Sequence, residues 1–407
     1  MRNCIIAQSG GPTAVINSSV VGIYEKNMKD KYFDKVYFSI NGIEGILNEN
    51  ILDTDCISKS KILNLKLTPS SGLGSCRYKL CDFNQDDSDY KKVLSILKKY
   101  NIDTFFYIGG NDSMDTILKF SQYIKKTHDN IKFIGIPKTI DNDLLGTDHC
   151  PGFGSAAKLI STITLETFLD TSVYIDNGIF ILETMGRDTG WLAASATLAK
   201  LNDKSVVDFI YLPEIAFSKE NFLKDVENLY KKKKHVFIVV SEGIKDNYGN
   251  FISETIGLSH DKFSHKQLGG ASKVLKDLII QSKITSRVKI LELGIIQRCS
   301  MHCVSKTDLQ EAYNVGAYGI ELSKNNCTGV MSSISRINND NYKSSIGYED
   351  LSNIANKTKY FPKKWINSEG NNVTEDAFNH ILPLTKGNID LKYINGVPYY
   401  SNIYNKF

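Results

Sequence analysis

Phe105-Phe106-Tyr107-Ile108-Gly109-Gly110-Asn111-Asp112-Ser113 reads as a buried strand, a diglycine turn and the start of a helix. An apolar run without polar alternation suits a strand covered on both faces, as in a parallel sheet. The two glycines let backbone N–H groups approach an anion at the positive end of the following helix dipole. Two oxygen-bearing side chains, Asn111 and Asp112, stand at that same end. A strand that hands over to a helix in this way is the repeating unit of an open α/β sheet.

The same unit recurs along the chain. Further strands are expected at Cys4 to Gln8, Val36 to Ile40, Lys132 to Ile136, Gly178 to Leu182, Phe209 to Leu212, Val236 to Val240 and Ile290 to Ile295. Amphipathic stretches between them predict helices at Ala14 to Tyr24, Ser113 to Lys126, Ser155 to Leu169, Gly190 to Lys200, Lys219 to Tyr230, Gly269 to Gln281 and Asp308 to Leu322. The expected architecture is α/β, with two doubly wound, mostly parallel α/β/α domains. Residues 1–150, joined again by about 298–335, make the first; residues 151–297 make the second; residues 336–407 form a C-terminal extension of helix and loop packed on one domain. The length of 407 residues suits two domains of ordinary size.

Nearly every glycine-rich or charged motif falls at a strand's carboxyl end, where open α/β sheets bind ligands. Ser9-Gly10-Gly11-Pro12-Thr13 is a second diglycine loop between strand and helix. Alone it reads equally as a tight turn, because no P-loop lysine follows; paired with Gly109-Gly110 it points to a phosphate site. Ile136-Pro137-Lys138-Thr139-Ile140-Asp141-Asn142-Asp143 ends a strand in a lysine and two carboxylates one residue apart. Phosphoryl transfer needs such a set: a carboxylate to take the proton of the attacking hydroxyl, a divalent cation, and fixed cations around the transferring group. In an extended backbone Asp141 and Asp143 would point the same way. Glu183-Thr184-Met185-Gly186-Arg187-Asp188 brings a guanidinium to another strand end, for transferring charge or for a salt bridge to Asp188. Ser241-Glu242-Gly243 supplies a carboxylate for sugar hydroxyls, while Lys289 and Gln297-Arg298 flank a last strand as phosphate donors.

Bulk properties exclude several classes. Hydrophobic residues make up 42% and charged residues 23%, an ordinary globular balance. A net charge of +4, from 49 basic and 45 acidic residues, gives no global field of the kind that marks a nucleic-acid binder. The run Lys231 to Lys234 reads as the solvated end of a helix. With no apolar stretch long enough for a membrane span or a signal peptide, a cytoplasmic protein is expected. Eight cysteines in apolar or glycine-rich surroundings suit reduced thiols. Cys299-Ser300-Met301-His302-Cys303 lacks the second ligand pair of a zinc site.

Taken in order, these segments resemble the phosphofructokinase family, and in particular its pyrophosphate-dependent branch. The resemblance covers roughly Met1 to Leu322 and is carried by Gly10-Gly11 with Asn17, Gly-Gly-Asn-Asp-Ser at 109–113, Pro-Lys-Thr-Ile-Asp-Asn-Asp at 137–143, Met-Gly-Arg at 185–187, Ser-Glu-Gly at 241–243 and Leu-Gly-Ile-Ile-Gln-Arg at 293–298. It implies an active site in the cleft between two domains and transfer of phosphate to the 1-hydroxyl of fructose 6-phosphate. Asp141 would be the general base, with Lys138, Thr139, Asp143 and Arg187 completing the catalytic set. Gly10, Gly11, Arg77, Asp112 and Ser113 would hold the diphosphate. Met185, Gly186, Glu242, Lys289 and Arg298 would bind the sugar phosphate, and Asn111 and Asp112 would lie at magnesium. A homodimer or homotetramer is implied, with a neighbour lending residues to the sugar-phosphate site, Lys289 first among them.

The resemblance also bears on the donor. ATP-dependent members carry glycine at the positions of Asp112 and Lys138. An acid at 112 would repel a nucleotide's α-phosphate, and a lysine at 138 would hold the phosphate leaving diphosphate. The alternatives are an ATP-dependent 6-phosphofructokinase, a kinase of another sugar phosphate such as sedoheptulose 7-phosphate, and a non-catalytic sugar-phosphate-binding paralogue. Three departures from the family pattern stand out. Asn111 stands where many members have aspartate; the stretch Tyr174 to Gly178 lacks an arginine used on the sugar's phosphate, and Ile295 replaces a polar residue serving the same group; Cys299 follows Arg298 where a glycine pair is usual.

Overall fold

A computed structural model of the chain describes residues 2–253, 270–338 and 341–403. In chain order the principal strands are β1 (Asn3–Gln8), β2 (Lys35–Ser39), β3 (Ile51–Asp53), β4 (Ile102–Gly109), β5 (Lys132–Pro137), β6 (Gly178–Thr184), β7 (Phe209–Tyr211), β8 (His235–Ser241), β9 (Val288–Glu292), β10 (Val330–Asn338) and β11 (Lys343–Asp350). The main helices are α1 (Ile16–Asp30), α2 (Ser88–Lys99), α3 (Asn111–Thr127), α4 (Phe153–Thr171), α5 (Lys219–Lys233), α6 (Ala271–Gln281) and α7 (Lys306–Lys324). They divide into two compact units, one of residues 1–155, 298–358 and 387–407, the other of residues 156–297 and 359–386.

The first unit is built on a seven-stranded sheet in the order β11-β10-β5-β4-β1-β2-β3. Its central pairs are parallel, and an antiparallel strand closes each edge, β11 on β10 and β3 on β2. β1 and β4 are buried along nearly their whole length, which suits the apolar runs of residues 4–7 and 105–108 at their centres. Both faces are covered. Ile16, Val20 and Ile23 of α1 pack with Val315 and Ile320 of α7 on one face, while Met114, Ile117 and Phe120 of α3 join Val93 and Leu97 of α2 on the other. The helices that follow β1 and β4 thus leave to opposite faces, so the crevice between these strands is the switch point at which such sheets bind ligands. Register aligns the three motif-bearing ends, with Gln8 opposite Ile108 and Gly109 opposite Pro137.

The second unit has a four-stranded, wholly parallel sheet in the order β9-β6-β8-β7. Val226 and Tyr230 of α5 and Leu275 and Ile279 of α6 cover it together with Phe217 and Phe222. Thr184 pairs with Ser241, which places the Met-Gly-Arg and Ser-Glu-Gly segments on adjacent strand ends.

Several elements differ from expectation. α3 begins at Asn111, two residues early, so Asn111 and Asp112 occupy its first turn. The helix expected over Gly190 to Lys200 is cut to Trp191–Ala194 and a 3₁₀ turn, Ser195–Leu198. There Asn202 and Asp203, both left-handed at φ 49° and 61°, turn a short hairpin instead. The strand expected to reach Ile295 stops at Glu292, and Ile295 stands exposed in a 3₁₀ turn. The first residue of the helix expected at Gly269 lies outside the described residues, and the helix runs Ala271–Gln281. The extension expected to pack on one domain is divided instead. It gives β11 to the first sheet, then an aromatic cluster of Phe361, Trp365 and His380 around Trp191 to the second unit, and then returns, where Ser401 N–H donates to Thr68 Oγ1 at 3.0 Å. Its aromatic residues had no period to announce this; each found a different apolar surface to cover.

Candidate active site

The first unit gathers its motif residues around the β1 loop. Gly10 is left-handed at φ 74°, and its N–H donates to Cys76 O at 3.1 Å, which sets Arg77 beside the loop. Beneath it lies a buried amide pair. Gln8 Nε2 donates to Asn17 Oδ1 at 2.8 Å, Asn17 Nδ2 donates to the Thr68 and Ser70 carbonyls, and Gln8 Oε1 accepts from Leu73 N–H. This pair fastens residues 68–73 against β1 and α1. Gln8 carried no motif signal, being one polar residue at the end of an apolar strand.

Lys138 is 2% exposed, and its Nζ donates to Gly11 O at 2.5 Å. Burial pulls its ammonium down to about 8, against Asp143 and Asp141, which favour the charge, while Arg298 and Arg77 oppose it. A Cβ on Gly11 would lie 2.9 Å from the Arg298 guanidinium, and one on Gly10 would lie 3.5 Å from Lys138 Nζ. The diglycine is therefore a seat for two cations as well as a turn. Gly10, Gly11, Arg77, Lys138, Asp141, Asp143 and Arg298 form one cluster within this unit.

The Lys138–Asp143 segment is not extended. Asp141 N–H donates to Thr139 Oγ1 at 3.1 Å, and Asn142 adopts a left-handed φ of 54°, its Oδ1 accepting from Cys150 N–H at 2.9 Å. Local side-chain-to-backbone bonds of Thr and Asn outcompete the strand here, so alternation is not what orients Asp141 and Asp143.

At the start of α3, Asp112 is exposed and Ser113 is buried against Gly109. The Asn111 side chain is engaged with residues of the extension: Nδ2 donates to Lys357 O and Oδ1 accepts from Asn356 N–H, both at 2.7 Å. Asn356, left-handed at φ 61°, also donates from its amide to Asp115. The amide that the sequence offered for a metal thus holds a turn of chain onto the start of α3. Among the described residues no group of three or more His, Cys, Asp or Glu side chains is placed to hold a metal ion. Asp112 and Asp141 are carboxylates, the oxygen ligands that a magnesium ion would take.

In the second unit the Met185–Arg187 loop is fixed from both sides. Ser241 Oγ donates to Gly186 O, Glu242 Oε1 accepts from Gly186 N–H at 3.3 Å, and Gln297 Oε1 accepts from Met185 N–H at 3.2 Å. A Cβ on Gly243 would stand 2.0 Å from Arg187 O, so only glycine permits this approach. Asp188 pairs with Lys245 at 2.9 Å. Glu214, without a sequence signal, accepts Gly190 N–H and Phe361 N–H on one oxygen, fixing the end of this loop to the extension. Lys289 is not brought to it. It lies exposed on the edge strand β9 opposite Phe180, roughly 13 Å of strand short of Thr184.

Two open α/β units, with paired diglycine loops and a buried lysine between carboxylates in the first, define a phosphoryl-transferring enzyme. Residues 3–322 match the phosphofructokinase family. The chain is 37% identical to a pyrophosphate–fructose 6-phosphate 1-phosphotransferase of Methylococcus capsulatus, over 99% of this chain and 96% of the relative. It is 38% identical to one of Xanthomonas campestris pv. campestris at the same coverage. A crystal structure of a pyrophosphate-dependent phosphofructokinase from Nitrosospira multiformis superposes with a TM-score of 0.89 at 36% identity, covering 99% of this chain and 96% of that one. The chain belongs to the phosphofructokinase family.

Proposed function

We infer that this chain transfers a phosphoryl group reversibly from diphosphate to the 1-hydroxyl of fructose 6-phosphate, giving fructose 1,6-bisphosphate and phosphate, a step of glycolysis. The observation that carries the donor is Lys138, whose buried ammonium rests on the carbonyl of Gly11 in the phosphate loop. With its pKa at about 8 the group is largely protonated at neutral pH and meets the charge that develops on the departing phosphate. Asp141 takes the proton of the 1-hydroxyl, the oxygen attacks the nearer phosphorus, and the bridging P–O bond breaks with its electrons leaving on phosphate. Gly10, Gly11, Arg77 and Ser113 hold the donor, with Arg298 against the same loop. Met185, Gly186, Arg187 and Glu242 receive the sugar phosphate, and Thr139 and Asp143 support the base. Asp112 and Asp141 would hold magnesium, which would supply neutralisation of donor charge when bound. Because the diphosphate anhydride broken lies closer in energy to the sugar-phosphate ester made than an ATP anhydride does, the reaction runs in either direction.

The exposed edge strand β9, with Ile295 and Ile296 after it and Val173, Tyr174 and Ile175 exposed beside Arg287, supports self-association as a dimer or tetramer in which Lys289 serves a neighbour's sugar-phosphate site. No helix among the described residues is long and apolar enough to cross a membrane, and a cytoplasmic setting suits the substrates. A coupled assay with fructose 6-phosphate and magnesium, comparing diphosphate with ATP, tests the reading. Turnover with diphosphate is expected; turnover with ATP alone would overturn the donor.

A further inference from the structure

The loop that carries Asp141 and Asp143 closes on itself. Thr139 N–H donates to Pro151 O at 3.2 Å, Thr139 bridges to Gly152, and Cys150 N–H donates to Asn142 Oδ1 at 2.9 Å. Whatever fixes residues 147–152 therefore fixes residues 139–142. Those outer residues are pinned to two distant elements. Thr147 and Asp148 bond the backbone of Ile334 in β10, and Gly152 N–H donates to Asp308 of α7 at 2.9 Å.

At the centre lies His149, 1% exposed, with Nδ1 2.9 Å from Asp148 Oδ2 and Nε2 2.7 Å from Glu311 Oε2 of α7. Glu311 also accepts from Tyr342 and Ser344 at 2.6 Å, and Arg336 of β10 pairs with Asp148 at 3.0 Å. We propose that His149, held as an imidazolium between Asp148 and Glu311, is a positioning residue that fixes the loop bearing the base Asp141. This rests on the functional reading above.

A neutral imidazole carries one N–H, so it can donate to only one of two carboxylates and must turn a lone pair on the other; the imidazolium donates to both. Burial opposes the charge, but Glu311 and Asp148 outweigh it and push His149 up to about 9, while Glu311 is held below its ordinary range. The groups facing the ring are Asp148 on its own loop, Glu311 and Asp308 on α7, Arg336 on β10 and Tyr342 next to β11. Loss of the proton breaks one tie and loosens the ring of bonds that ends at Asn142, next to Asp141. The expected signature is a fall in kcat at alkaline pH without a change in either KM.

Glu311→Gln tests this, since the amide keeps the side chain's shape, can present its oxygen to the ring while its NH2 faces the Tyr342 and Ser344 hydroxyls, which can also accept, and removes the charge that keeps the proton. At pH 6.5, kcat and both KM values should stay within about twofold of the native enzyme. The alkaline fall of kcat should move down by about one pH unit or more, the usual effect of losing an opposite charge at this distance. Saturating diphosphate holds Lys138 protonated in both proteins, so the difference belongs to His149. Asp148→Asn should move the limb the same way and serves should Glu311→Gln fail to fold. In the native chain the ring protons of His149 should show no NMR titration below about pH 8. Superimposable kcat profiles, or a ring titrating near 6.5, would overturn the proposal. The ring titration needs no turnover, so a chain inactive with diphosphate would overturn the functional reading while leaving this inference to be judged by NMR.

Discussion

Lys138 joins a local motif to a contact made far along the chain. Its place after Pro137 and before two carboxylates was readable from sequence; that it is buried, with Nζ on Gly11 O, was not, because the contact spans 127 residues. An ammonium held in so dry a site with fixed partners is worth most when charge develops on the leaving phosphate. Lys138→Ala should therefore lower kcat with diphosphate by about 10²- to 10³-fold, roughly 3–4 kcal/mol of transition-state stabilisation. Normal turnover of the variant in the coupled assay would remove the main argument for the donor. Asn111 teaches the opposite lesson. Its type and position suited a metal, yet both ends of its amide hold residues 356 and 357, a partnership that no local pattern announces.

At the scale of elements, the site depends on loops that glycine lets approach one another. The β8 end and the Met185–Arg187 loop touch where Gly243 faces Arg187 O, a contact that leaves no room for a methyl group. Gly243→Ala should displace the Arg187 loop and break the Glu242 and Ser241 bonds to Gly186. The expected result is a rise of about tenfold or more in KM for fructose 6-phosphate, equivalent to about 1.4 kcal/mol, with KM for diphosphate nearly unchanged. Equal changes in both constants would show that the loop does not serve the sugar side. The motif was visible in the sequence, but its steric reason was not, since the two strand ends become neighbours only through the parallel register of β6 and β8. Register also decides where Lys289 stands. It lies at the start of its strand, opposite Phe180, at the far end from Thr184.

For the whole molecule, buried charges make stability depend on pH, and the sign follows from each shift. His149, raised to about 9 from an ordinary 6.5, binds its proton more tightly when folded, so its stabilisation is complete below pH 6.5 and is lost as pH rises toward 9. Lys138, lowered to about 8, has the reverse effect, but only above pH 8. Asp308, raised to about 6, weakens the fold as pH climbs to that value and contributes no slope beyond it. Between pH 6.5 and 8 the His149 contribution stands apart, and the urea midpoint of the native chain should fall across that window. His149→Gln should flatten the slope, whatever its absolute stability. A slope left intact in that variant would assign the pH dependence to other groups.

The sequence by itself determined the alternation of strand and helix, the two diglycine loops, the lysine ahead of two carboxylates and the family they belong to. These are written in nearest-neighbour terms: apolar runs that suit strands buried on both faces, glycines where backbone must approach an anion, and short motifs confined to strand ends. Only the tertiary structure decided that β11 and residues 387–403 return to the first unit while residues 359–386 join the second. It alone placed His149 against Glu311, 162 residues away, and bent the Asp141 loop around Asn142. The physical reason is that such pairings depend on which buried surfaces and charges are left to be satisfied once the sheets have formed, and local propensity carries no record of them.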